Sequence, residues 1–166
     1  RVSAIAETLR MAAASDACIR LITCSGAAVI ATPIRVMNGV LYARKVVARG
    51  QKTAPVFVSV EAISVIEILA ENDPRNDHAA TMTAPEDVRT RADEFGMILS
   101  HAASRGVTSQ ISMTSGATVI VTPTGVRGGI LDAYRGDASA RFGVRTVVVI
   151  EDISVIEHVL LPSRGA

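Results

Sequence analysis

The sequence predicts a mostly β protein with short α segments, built as two copies of one small unit. Each unit reads as an N-terminal helix followed by a strongly bent five-stranded antiparallel barrel. Three observations carry this prediction. The chain matches itself when shifted by 90 residues. In each copy the apolar period drops once, from helical spacing to strict alternation. Turn dipeptides then break each copy into segments too short for anything but short strands.

The repeat is dense. Ser25-Gly26-Ala27 falls on Ser115-Gly116-Ala117, Thr32-Pro33 on Thr122-Pro123, and Ile63-Ser64-Val65-Ile66-Glu67 on Ile153-Ser154-Val155-Ile156-Glu157. From Leu21 to Leu69 there are 19 identities in 49 ungapped positions, where ordinary composition supplies ~4. The reading is therefore a first unit at residues 1–70, a polar, turn-rich linker at 71–85, and a second unit at 86–166. A unit of this size buries little surface on its own and calls for a partner surface.

The elements follow in order. Ile5, Leu9 and Ala13 share one face of the first helix, which ends near Ser15-Asp16. In the second helix Val88, Ala92, Phe95, Leu99 and Ala102 form the stripe. There Thr83 and Glu86 have capping-box spacing around Pro85, and Gly106 supplies the left-handed stop. Alternation begins at Ile19, with Ser-Gly and Asn38-Gly39 (Gly128-Gly129 in the second copy) as hairpin turns. Pro33 and Pro123 lie inside the second strand of each copy, where proline requires a bulge or an unpaired edge. Val56, Val58 and Val60 are expected to face the core, with Ser59 and Glu61 facing out. A tight break at Glu61-Ala62 precedes the last strand. Five strands in about 50 residues must curl strongly, which means a small barrel.

Composition excludes several functions. Seventeen basic against sixteen acidic side chains leave +1, which rules out a basic nucleic-acid sleeve and an acidic tail alike. Aromatics are 3%, too few for a base-stacking platform. Cys18 and Cys24, with no second pair, form no zinc site and read as small buried thiols in the cytoplasm or another reducing compartment. The charge-free stretch between Arg105 and Arg127 is too rich in Thr, Ser and Gly for a membrane helix. A start at Arg1 rather than Met leaves room for a removed leader.

These turns and strands resemble the Sm-like family, its bacterial Hfq branch in particular. The resemblance is carried by Cys24-Ser25-Gly26, by Val36-Met37-Asn38-Gly39-Val40-Leu41 and by Glu61-Ala62-Ile63-Ser64-Val65-Ile66. It implies an SH3-like barrel in each unit and a ring built by pairing the fourth strand of one unit with the fifth of the next. The chain departs from the family's motifs, and one departure falls where the family contacts RNA. Arg35 and Gly125 stand where the first motif has Asp, and Gly128 replaces Asn in the second copy. Val60-Glu61 and Ile150-Glu151 replace a Lys-His pair, and acidic side chains there repel phosphate.

Catalysis is not expected, nor a cofactor or a metal. Ser25 and Ser115 have no histidine beside them, and Glu61, Glu67, Glu151 and Glu157 read as charges rimming exposed strands. The expected function is a non-catalytic tandem assembly module, in a ring or a larger complex, and a degenerate RNA-binding scaffold. Its partners are further copies or related subunits, met through strand edges bearing Val58, Val65, Ile66, Val155 and Ile156. Three chains would close a pseudo-hexamer, and two units pairing within one chain would leave one donor and one acceptor edge. The competing expectation is an RNA-binding regulator that uses the basic connection between the third and fourth strands. Its residues are Asn38, Arg44, Lys45, Arg49 and Lys52, with Arg127 in the second copy. A barrel mouth holding a small ligand is a third reading.

Overall fold

A computed structural model describes residues 2–46, 53–70, 89–136 and 143–159. Helix α1 (Val2–Ala14) precedes strands β1 (Cys18–Thr23), β2 (Ala28–Met37), β3 (Val40–Lys45), β4 (Pro55–Ser59) and β5 (Ile63–Ala70). Helix α2 (Arg91–Arg105) precedes β6 (Ser109–Met113), β7 (Thr118–Arg127), β8 (Ile130–Arg135), β9 (Arg145–Val149) and β10 (Ile153–His158). A 3₁₀ turn, Val60–Ala62 or Ile150–Asp152, leads into β5 and β10 at the expected tight break.

All ten strands join one antiparallel sheet in the order β5-β1-β2-β3-β4-β10-β6-β7-β8-β9. Each half thus repeats the same internal order. The expectation of two separate, closed barrels is corrected: neither half closes on itself, because β4 takes β10 as its neighbour instead of β5. Ladder bonding is satisfied equally well by either strand. The choice of β10 also buries both faces of β4, whose Val56, Phe57, Val58 and Ser59 are all covered. The sheet ends at β5 and β9.

Local chemistry explains the elements. Ile19, Leu21 and Thr23 are buried at alternating positions of β1, as a half-buried strand requires. The alternation of β2 slips at Ile34-Arg35, both exposed, and the register of β2 against β3 shifts between Pro33 and Arg35. Pro123 and Gly125 repeat that bulge in β7. The proline, which cannot donate to a regular ladder, sits where the ladder is already broken. Asn38 (φ 49°) and Gly39 (φ 77°) form a left-handed two-residue turn, repeated at Gly128 (φ 56°) and Gly129 (φ 77°).

Helix α2 starts later than its sequence suggested. Thr90 is the N-cap and forms a capping box with Asp93, while Gly106 closes the helix at φ 64° as expected. Thr83, Pro85, Glu86 and Val88 lie outside the described residues, as does the linker at 71–85. The thiols are corrected too: Cys18 is only half-buried and Cys24, in the first turn, is exposed.

Two cores result, and they exchange side chains. The first gathers Leu9, Ile19, Leu21, Leu41, Val56, Val58, Val60 and Ile63, and also takes Val155 from β10. The second gathers Phe95, Leu99, Ile111, Leu131, Ile150, Ile153 and Ile156, and takes Val40 and Phe57 from the first half. Val56, Val58 and Val60 are core residues as expected. Ser59 does not face out. It is fully buried, because the second half covers the face of β4 that a lone unit would leave to solvent.

Candidate functional site: a polar seam and two open edges

The seam between the halves is the most elaborate polar site among the described residues. Strand pairing sets its register, with Val58 opposite Val155, Phe57 opposite Ile156 and Val56 opposite Glu157. Tyr42 lies opposite Phe57 on the same face, and the two rings meet edge-to-face at 5.2 Å. Phe57 makes a second edge contact, at 5.0 Å, with the ring of His158. Lys45 Nζ reaches Glu157 Oε1 at 3.2 Å across the junction.

Helix α2 clamps this seam through Glu94, which is 1% exposed. Asn38 Nδ2 donates to Glu94 Oε2 at 2.7 Å, and the Tyr42 hydroxyl donates to Glu94 Oε1. The Arg89 backbone N–H donates to Asn38 Oδ1 at 3.1 Å. Burial, followed by the Glu94 carboxylate, holds the Tyr42 hydroxyl well above the usual phenol range, so it stays a donor. The Arg35 guanidinium lies over the Tyr42 ring, 4.5 Å from its centroid. One turn away, Arg91 donates from Nη1 to Ser59 Oγ at 3.0 Å and from Nη2 to the Glu151 carbonyl at 2.9 Å, with Glu61 Oε2 3.8 Å off. Every one of these polar groups has a partner from another element, which is the condition for burying them.

The outer edges look different. On β5, Val65, Ile68 and Leu69 are exposed, at 43%, 50% and 46%. On β9, Val147 and Val149 are 54% and 48% exposed. Arg20 and Glu67 form an ion pair at 2.8 Å beside the first edge. Beside the second, Asp132 accepts from Arg127 Nε at 2.8 Å and from Arg145 Nη2 at 3.5 Å. The Arg127 hydrogen bond leads in holding the Asp132 carboxyl below its ordinary range. Gly125 stands where Arg35 stands in the first half. A polar cleft of about 320 Å³ opens there, lined by Thr124, Asp132, Tyr134 and Arg145.

The residues singled out for RNA are dispersed. Asn38 is buried and its amide is engaged by Glu94 and Arg89; Lys45 bridges to Glu157; Arg127 bridges to Asp132. Arg44 is exposed at the end of β3. Arg49 and Lys52 lie outside the described residues. The edge residues divide in two: Val58, Val155 and Ile156 are paired inside the chain, and Val65 and Ile66 sit on the open strand β5. Ser25 Oγ lies 2.9 Å from Thr23 Oγ1 within the turn. Among the described residues, no three His, Cys, Asp or Glu side chains gather as metal ligands, and no helix is long and apolar enough to cross a membrane.

Glu94, Arg91, Ser59 and His158 carry the seam and were missed by sequence reasoning. Glu94 left a readable sign. It stands four residues before Ile98, on the apolar stripe of α2, where a carboxylate needs a buried donor. No protein-family model, curated protein or solved structure matches the chain.

Proposed function

We propose that the chain is a non-catalytic, tandem Sm-like assembly module, each half a helix-plus-bent-sheet unit, that builds a ring or part of a larger complex through strand edges. The observation that carries this reading is the pairing of β4 with β10: the fourth strand of one half joins the fifth strand of the other, leaving a fifth strand (β5) and a fourth strand (β9) at the sheet ends. Such ends are non-identical and complementary, so contacts between them run head to tail and either close or continue. Their exposed valines, isoleucine and leucine match what an unpaired edge would bury on association.

RNA binding through the basic connection is the weaker reading, since three of its six residues are already engaged. Light scattering at micromolar concentration tests assembly. A mass near three chains is expected for a pseudo-hexameric ring, and a strict 17.4 kDa mass sinks the reading. Labelled single-stranded RNA titrated at two salt concentrations is expected to bind weakly with a flat salt slope. Tight binding with a steep slope would favour the RNA regulator instead.

A further inference from the structure

The internal seam defines what each outer edge lacks. Moving its pairs by the 90-residue repeat brings Val65 opposite Val148, Ile66 opposite Val147 and Glu67 opposite Thr146, on two different copies. The exchanged core residues move with them. Val155 enters the first core, and its repeat Val65 is exposed for want of an equivalent host. Phe57 enters the second core, and its repeat Val147 is likewise exposed.

The polar clamp is exchanged rather than copied. At the internal seam the helix supplies the carboxylate, Glu94, and the hairpin supplies two donors, Asn38 and Tyr42. At the repeat positions the helix has exposed Ala4, while the hairpin has Gly128 and carries its own carboxylate, Asp132, already held by Arg127 and Arg145. A helix bearing Glu at that point would set two carboxylates against each other.

Resting on the assembly reading above, we propose that the partner of the open edges is a second copy of this chain. Its β5 lies along β9 in the register of the internal seam, and the exchange of Glu94/Tyr42 for Ala4/Asp132 admits α1 and rejects α2 at this junction. Each copy therefore joins only head to tail, with internal and external seams alternating.

Cysteine cross-linking tests the register in full-length protein carrying Cys18→Ala and Cys24→Ala. Ile66→Cys combined with Val147→Cys is expected to give an oxidised ladder at multiples of the chain mass. Ile66→Cys combined with Thr146→Cys, which points to the opposite face, is expected to give little. Ala4→Glu, on an exposed face of α1, is expected to leave the melting of the single chain unchanged. It should raise the concentration for half-assembly at least tenfold, and Ala4→Ser should not. A multimer by light scattering with no ladder, with equal ladders from both pairs, or with no response to Ala4→Glu overturns this proposal and leaves the assembly reading standing. A strict single-chain mass overturns both and points to a different protein as the occupant of the edges.

Discussion

The strands β2–β4 and their repeat β7–β9 share pairing, a bulge after a proline and a left-handed turn, yet they live in different environments. The first lies under α2 and against β10, with Asn38, Tyr42 and Phe57 engaged across the seam. The second ends the sheet, with Gly128, Asp132 and Val147 at the same positions. The backbone of the repeat survives because turns and core-facing positions fix it. The side chains that differ include those that meet a neighbour, Asn38, Tyr42, Phe57 and Ser59 among them. At these positions the divergence between the copies follows the seam and not the backbone.

The sharpest break of this comparison is Phe57→Ala against Val147→Ala. Phe57 is 9% exposed and fills the second core, so its truncation should cost about 3–5 kcal/mol. Val147 is 54% exposed, and its truncation in the single chain should stay within about 0.5 kcal/mol. Urea unfolding at high dilution compares the two. Equal losses would mean that β4 and β9 are equally covered and that the seam is misplaced.

Next in size is Glu94→Ala. It removes the carboxylate that accepts from the Asn38 amide and from the Tyr42 hydroxyl, at about 1–3 kcal/mol for a donor left unsatisfied in such a site. Adding Tyr42→Phe to Glu94→Ala should recover part of the loss, because an absent donor needs no partner. A double-mutant cycle reads this coupling, expected at about 0.5–3 kcal/mol. Strict additivity would show that the clamp contributes nothing beyond packing.

Much of this architecture was legible beforehand, and the reason is local. Turn chemistry at Ser25-Gly26 and Asn38-Gly39, alternation at Ile19 and Leu21, and the Gly106 stop depend on neighbours in sequence, so sequence reveals them. The fate of Ser59 was not legible, since its burial is caused by Arg91 and β10, far along the chain. The closed barrel failed for the same reason: nothing within 50 or so residues says whether a fourth strand will bond its own fifth strand or another unit's. Asn38 looked like a turn residue and is one, but its amide also answers a carboxylate 56 residues away. The candidate site was legible only as edges rich in valine and isoleucine.

Ser59→Ala sharpens the comparison at smaller scale. The hydroxyl accepts from Arg91 Nη1, which keeps a second bond to the Glu151 carbonyl, so the loss should be about 1 kcal/mol. Its repeat position already holds an apolar side chain, Val149, with no such bond to lose. Val149→Ala should therefore leave the melting temperature of the single chain nearly unmoved. A Ser59→Ala variant as stable as the parent would remove Arg91 from the seam's polar set.

The smallest effect concerns acid. His158 sits at the seam beside Phe57, with Nδ1 3.1 Å from Ser109 Oγ, whereas its repeat position on the open edge is Ile68. Burial first, then the neighbouring charge of His101, lowers the His158 pKa from 6.5. The unfolded chain thus takes up this proton before the folded one does. The stability tied to a neutral His158 is complete above pH 6.5 and falls away as pH drops from there toward the folded value. Asp132 titrates in a separate window: its lowered pKa adds stability above 3.8 that is lost only as pH falls through the folded value. Melting temperatures recorded at intervals from pH 7 to pH 5, about the span in which a histidine titrates, should decline in the parent. They should stay flatter in His158→Ile, which places the residue of the open edge at the seam. The Lys45–Glu157 pair beside it stays in place in both proteins, so the difference between the two profiles isolates the imidazole. Parallel profiles would assign the acid sensitivity to other groups and leave the seam indifferent to pH in this range.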